Sequence, residues 1–79
     1  MNIYRIWQEA NNKYDTYDSA VVIAETMEAA KNMHPSDGKP LKASENDWTS
    51  IDNVQCELFG KADPVRTEAC IVCASFNAG

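Results

Sequence analysis

The sequence predicts an α+β fold of order ββαββ, a four-stranded, mainly antiparallel sheet with one short helix on one face. Short runs rich in β-branched and aromatic residues lie toward both ends of the chain, separated by turn-forming residues as in two hairpins. Between them is a single amphipathic stretch that a proline stops early. The 79 residues supply surface for one hydrophobic core, so the expectation is a single small domain over residues 1–79 with a long polar loop at about 36–48.

Residues 2–8, N-I-Y-R-I-W-Q, form the first expected strand, with Ile3 and Trp7 on one side and Tyr4 and Ile6 on the other. Residues 11–18, N-N-K-Y-D-T-Y-D, concentrate turn formers and read as the hairpin connection. The run S-A-V-V-I-A-E at 19–25 is too short for a typical helix and rich in valine and isoleucine, which suits a strand covered on both faces. Thr26 then offers an N-cap, Glu28 suits the first turn, and Met27, Ala30 and Met33 recur at helical spacing. Pro35 disfavours helical geometry in the residue before it, so the helix is expected to end near Met33 or His34.

Residues 36–48 show no sustained period, and Trp48 is the expected anchor that returns the chain to the core. Residues 49–52 suit one helical turn capped by Thr49. Val54, Cys56 and Leu58 alternate with Gln55, Glu57 and Phe59, the period of a half-buried third strand. Gly60, Asp63 and Pro64 punctuate a connection to a fourth strand at 69–76. A helix of under three turns covers one face of such a sheet, yet Tyr4, Trp7, Val21, Val22, Phe59 and Phe76 place apolar groups on both. A homodimer or a partner surface on the open face follows.

Composition narrows the function classes. With 44% apolar and 24% charged residues the chain lies in the globular range. Twelve acidic against seven basic residues give a net charge of −5, a field that repels polyphosphate and disfavours direct nucleic-acid binding. It suits solubility or docking into a basic groove. No apolar run approaches the roughly 18 residues of a membrane span, and no basic segment followed by an apolar stretch opens the chain, so neither membrane insertion nor secretion is expected. Cys56, Cys70 and Cys73 are too few, and odd in number, for a disulfide framework, and fit reduced thiols in a cytoplasm.

Candidate chemistry is sparse. Cys70-Ile71-Val72-Cys73 matches C-x-x-C, but residues three apart on a regular strand point to opposite faces, so no metal or redox site is expected. His34 is the only histidine, and nothing in the sequence places it beside Cys56 or Ser75 as a nucleophile pair; it is expected to cap helix carbonyls. Catalysis, metals and cofactors are therefore not expected. The most distinctive cluster is Tyr14-Asp15-Thr16-Tyr17-Asp18, whose rings can stack on a base or guanidinium and whose carboxylates accept hydrogen bonds from cationic groups. Ser75, Phe76 and Asn77 near the end of the chain suit an added strand on a neighbouring subunit or the lining of a pocket.

I-Y-R-I-W-Q at 3–8, Y-D-T-Y-D-S-A-V-V at 14–22, A-E-T-M-E-A-A-K-N-M-H-P at 24–35 and C-A-S-F-N-A-G at 73–79 together resemble a family of small bacteriophage and prophage proteins without established activity. The chain departs from that pattern in the helix, where Ala30 and Lys31 stand in place of an acidic residue and an arginine. The resemblance implies a viral origin and action in the host bacterial cytoplasm. A short acidic phage protein without catalytic motifs is expected to counter host defence stoichiometrically, as an inhibitor of a CRISPR effector docked on a basic surface of a host bacterial defence protein. The expected contacts are Tyr14, Asp15, Tyr17, Asp18 and Trp48, with Glu45 and Asp47 as rim charges. One alternative is an oligomeric sponge for a nucleotide immune signal, using the 14–18 loop, Thr16 included, with Ser75 and Asn77, and with Arg5, Arg66 and the lysines meeting the phosphate. Another is a minor virion or regulatory interaction protein.

Overall fold

Alternating apolar residues in the first two strands decide where the sheet has its core side. The computed structural model describes residues 1–11, 15–41, 47–62 and 69–77. Its elements are β1 (Asn2–Trp7), β2 (Thr16–Ala24), α1 (Met27–Lys31), a single 3-10 turn (Ile51–Asn53), β3 (Gln55–Lys61) and β4 (Cys70–Asn77). The four strands form one sheet in the order β3-β1-β2-β4, and every neighbouring pair is antiparallel. This is the α+β architecture expected from the sequence, with the valine-rich second strand in the interior of the sheet.

Tyr4, Ile6, Ala20, Val22 and Ala24 share the face toward α1, because Tyr4 pairs with Val22 and Ile6 with Ala20. They form the core with Ala30, Met33, Trp48 and Val54, and Ile6, Val22 and Trp48 have no exposed surface at all. The opposite face carries Ile3, Arg5, Trp7, Ser19 and Val21, all half-buried.

β2 begins earlier than the turn-rich composition of 11–18 suggests. Thr16 to Asp18 belong to the strand because Tyr17 pairs with Phe76 and Thr16 with Asn77, while the Tyr17 N–H donates to the Asp47 carbonyl at 2.8 Å. Asp18 is the extra residue of a bulge, since Tyr17 and Ser19 pair with the adjacent Phe76 and Ser75.

The helix is shorter than expected, five residues with Thr26 as its cap, the Ala29 N–H donating to Thr26 Oγ1 at 3.1 Å. It ends before Met33 because Met33 forms a bridge with Pro40 and the Leu41 N–H donates to the Asn32 carbonyl. The Pro35–Asp37 reversal is closed by Gly38, whose N–H donates to the His34 carbonyl at 2.8 Å. Its φ of +75 is strained for any residue with a side chain. Part of the expected 36–48 loop is thus a tight, hydrogen-bonded return; residues 42–46 lie outside the described residues.

Two local readings are corrected. The 3-10 turn has Ser50 rather than Thr49 at its start, without a side-chain cap, and Thr49 Oγ1 instead accepts from Asn53 Nδ2 at 3.2 Å. In β3 the expected half-burial fails at Leu58, which is 54% exposed; Phe59, expected on the other face, is 56% exposed. Leu58 stays in register opposite Tyr4 on the covered face, but β3 is an edge strand and leaves it uncovered; the register against β1 shifts only beyond it, at Phe59. Among the described residues, no helix is long and apolar enough to cross a membrane.

Candidate binding site

The strand ends gather most of the residues singled out in the sequence at one end of the sheet. Gln8, buried just past β1, organises them: its side-chain amide donates to the carbonyls of Asn11 at 2.8 Å and Tyr17 at 3.1 Å, and its Oε1 accepts from the Asn11 N–H at 2.7 Å. Asn11 Nδ2 in turn donates to the Trp48 carbonyl at 3.0 Å. Tyr17 packs edge-on against Phe76, ring centroids 4.7 Å apart, and against His34 at 5.9 Å.

His34 is the residue whose role the sequence concealed. Its Nδ1 accepts from the Ser36 N–H at 3.1 Å and lies 2.8 Å from Ser36 Oγ, while Nε2 lies 2.8 Å from Asp47 Oδ1. An amide N–H only donates, so Nδ1 must be the acceptor and Nε2–H donates to Asp47. The order serine, histidine, aspartate resembles a nucleophile relay, but the Ser36 amide already engages the lone pair that a general base would use. The arrangement ties the 34–36 return to the chain entering Trp48. Asp47 lies thirteen positions after His34, and no local pattern announces the pair.

The expected contact residues now divide. Asp15, with φ of +60, and Asp18 are exposed, and neither is ion-paired among the described residues. Asp47 is partly exposed and Tyr17 half-buried. Trp48 is corrected as a partner contact: it is fully buried, so the desolvated contact expected of it is made inside the molecule. Thr16, at 2% exposure, is likewise no surface for a ligand. Tyr14, Glu45 and Arg66 lie outside the described residues, and Asn77 is placed by its backbone pairing alone.

A second locus lies on the open face. Trp7 pairs with Ser19 and Ser19 with Ser75; Arg5 pairs with Val21 and Val21 with Cys73, so these side chains stand in two adjacent rows. Arg5, Ser19, Val21, Cys73 and Ser75 line a groove of about 150 Å³, and the Arg5 guanidinium lies over the Trp7 ring at 4.5 Å. Glu57 is its register neighbour on β3, yet Arg5 is in no salt bridge among the described residues. A larger cleft, about 650 Å³, opens between α1 and the 3-10 turn, but none of the sequence-derived site residues lines it.

The reading of C-x-x-C also needs correction. Cys70 pairs with Ile23 and Cys73 with Val21, two positions on the same face of β2, because Val72 is an extra residue in β4. Both cysteines therefore share the open face. Their partners lie roughly 6–7 Å apart along the strand, beyond the ~3.5–4.5 Å Cβ separation of a disulfide, and all three thiols are free. Among the described residues no group of three His, Cys, Asp or Glu is arranged to hold a metal. On the covered face, burial pushes the Cys56 thiol above its ordinary value, opposed by the positive charge of Lys31.

Compared with protein-family profiles, curated proteins and solved structures, the chain has no significant match.

Proposed function

We propose that this chain is a phage accessory protein acting in the host bacterial cytoplasm by stoichiometric capture, without catalysis, and that its ligand is a small phosphate-bearing molecule such as a nucleotide immune signal. One observation carries this reading: Arg5 lies over Trp7 beside the hydroxyls of Ser19 and Ser75 on a sheet face that α1 leaves open. A guanidinium provides charged donors for phosphate oxygens, the indole beneath it holds it in place, and the Ser75 hydroxyl stands at the polar rim beside Ser19, whose own hydroxyl donates to Asp18 Oδ1 at 3.3 Å. The net charge of −5 opposes an anionic ligand at long range, so a local cation with no salt bridge among the described residues is the feature such a ligand requires. The groove of about 150 Å³ is smaller than typical small-molecule sites of roughly 300–1,000 Å³, so it takes up only part of such a ligand.

A second reading, an inhibitor docked on a basic surface of a host effector of the CRISPR type, is favoured by the exposed Asp15 and Asp18 at the end of β2 near the 44%-exposed Phe76. Calorimetry with a panel of cyclic and linear nucleotides separates the two. Capture gives saturable binding that Arg5→Gln weakens at least about tenfold, with an unchanged circular dichroism spectrum. No heat with any nucleotide, together with salt-sensitive binding to a protein effector, overturns capture in favour of inhibition.

A further inference from the structure

The two outer strands of the sheet are built differently at their free edges. β3 carries Glu57 and Lys61 and a register shift at Phe59, features that keep an edge from pairing with another chain. β4, C-I-V-C-A-S-F-N, has no charged residue and no proline along its eight positions, and residues 72–76 are all exposed. Its one interruption is the extra residue Val72, beyond which residues 73–77 run on as an edge that pairs with no strand among the described residues.

In a chain of net charge −5, two copies repel over most of their surfaces, and an uncharged strand is where they meet at least cost. A strand that pairs antiparallel with its own copy brings no like charge opposite itself when it has none. The pairing is closed about a twofold axis and uses up the free N–H and C=O groups of both edges. Val72, 56% exposed, borders the segment and Phe76, 44% exposed, lies within it; both supply apolar surface for the seam.

We infer that two copies of this chain join edge to edge through residues 73–77 of β4, making one continuous antiparallel sheet in the order β3-β1-β2-β4-β4-β2-β1-β3 with the charged β3 strands at its ends. The inference rests on the strand edges and is independent of any ligand.

Sedimentation equilibrium of the full chain from about 1 µM to about 100 µM, the range of weak specific association, tests it together with amide hydrogen exchange. The expected mass rises toward twice 8.8 kDa, with concentration-dependent protection appearing in residues 73–77. Neighbouring N–H groups of a strand point to opposite sides, so Ala74→Pro and Ser75→Pro have different outcomes. One removes an outward donor and gives a folded monomer; the other breaks the β2–β4 ladder. A single-chain mass throughout, a dimer whose 73–77 amides exchange at one rate at all concentrations, or dimers retained by both proline variants would overturn the inference. Should neither variant fold, the exchange comparison on the unaltered chain decides.

Discussion

The two faces of this sheet come from alternate residues of the same strands, and they are put to different use. Tyr4 and Ile6 on β1, with Ala20 and Val22 on β2, are sealed under α1 and Trp48; one residue along, Arg5, Trp7, Ser19 and Val21 are half-buried with no helix above them. In a small domain the first face must supply nearly all of the apolar burial that opposes chain entropy. The second is less tightly packed, with Ile23 its buried member, and carries a cation, hydroxyls and thiols. On the proposed reading the functional candidates stand on the face that α1 does not reach, and the two tryptophans test the difference between the faces directly.

The largest expected effect is at Trp48. Its indole is fully buried, so Trp48→Ala is expected to cost about 3–5 kcal/mol. For a chain of this length total stability is about 4–12 kcal/mol, so that variant is expected to be partly or wholly unfolded. Trp48→Phe is the gentler probe. The buried Nε1–H has no hydrogen-bond partner among the described residues, so the phenyl ring forfeits packing and no hydrogen bond. Trp7→Ala removes a half-buried ring and the Arg5 stack and is expected to cost about 1–2 kcal/mol. Urea midpoints of the three variants give the ranking, and a Trp7→Ala loss equal to that of Trp48→Ala would erase the distinction between the faces.

That distinction was partly legible beforehand. The alternation in residues 2–8, the valine-rich run at 19–25, the Thr26 cap and the anchoring tryptophan all follow from side-chain chemistry within a few residues, and the structure has each of them, although the run, expected to be covered on both faces, is only half-buried at Ser19 and Val21. What stayed hidden is non-local or carried by the backbone. Val72 displaces the β4 register by one residue without a glycine or proline to mark it, and so turns Cys70 and Cys73 onto one face. Asp18 does the same in β2. The 34–36 return and Asp47 meet across a loop, and Gln8 is read from sequence only as the end of a strand. Trp48 was legible as an anchor, but the same burial that makes it one removes it from the surface where a partner contact was expected.

The lid itself gives a smaller effect. Five residues are too few for a helix to persist alone, so α1 depends on its packing and on its one side-chain cap. Thr26→Ala is expected to cost about 1 kcal/mol, with the Ala29 amide left to water. Thr26→Ser is expected to recover most of that. Thermal unfolding of both variants checks the capping interaction, because Thr26 is exposed and contributes little core packing. Equal stabilities for the alanine and serine variants would show that the cap is not what fixes the start of the helix.

The smallest expected effect reports on how dry the covered face is at its β3 margin. Cys56 pairs with Ile6 and packs against the core, and its thiol is held above the ordinary value chiefly because burial penalises the thiolate, with Lys31 working the other way. A raised folded-state value means that the unfolded chain releases this proton first. The Cys56 contribution is therefore fully present below the unfolded thiol range near 8.5–9 and is lost as pH rises through the higher folded-state range. Other groups also titrate there, so the informative quantity is the difference in urea midpoint between the unaltered chain and Cys56→Val, followed from pH 7 to pH 10. The unaltered chain is expected to lose stability more steeply than the valine variant, by less than the loss at Thr26 because the thiol is only partly buried. Parallel pH profiles would mean that water reaches the sulfur, and that the covered face ends at Ile6 rather than extending onto β3.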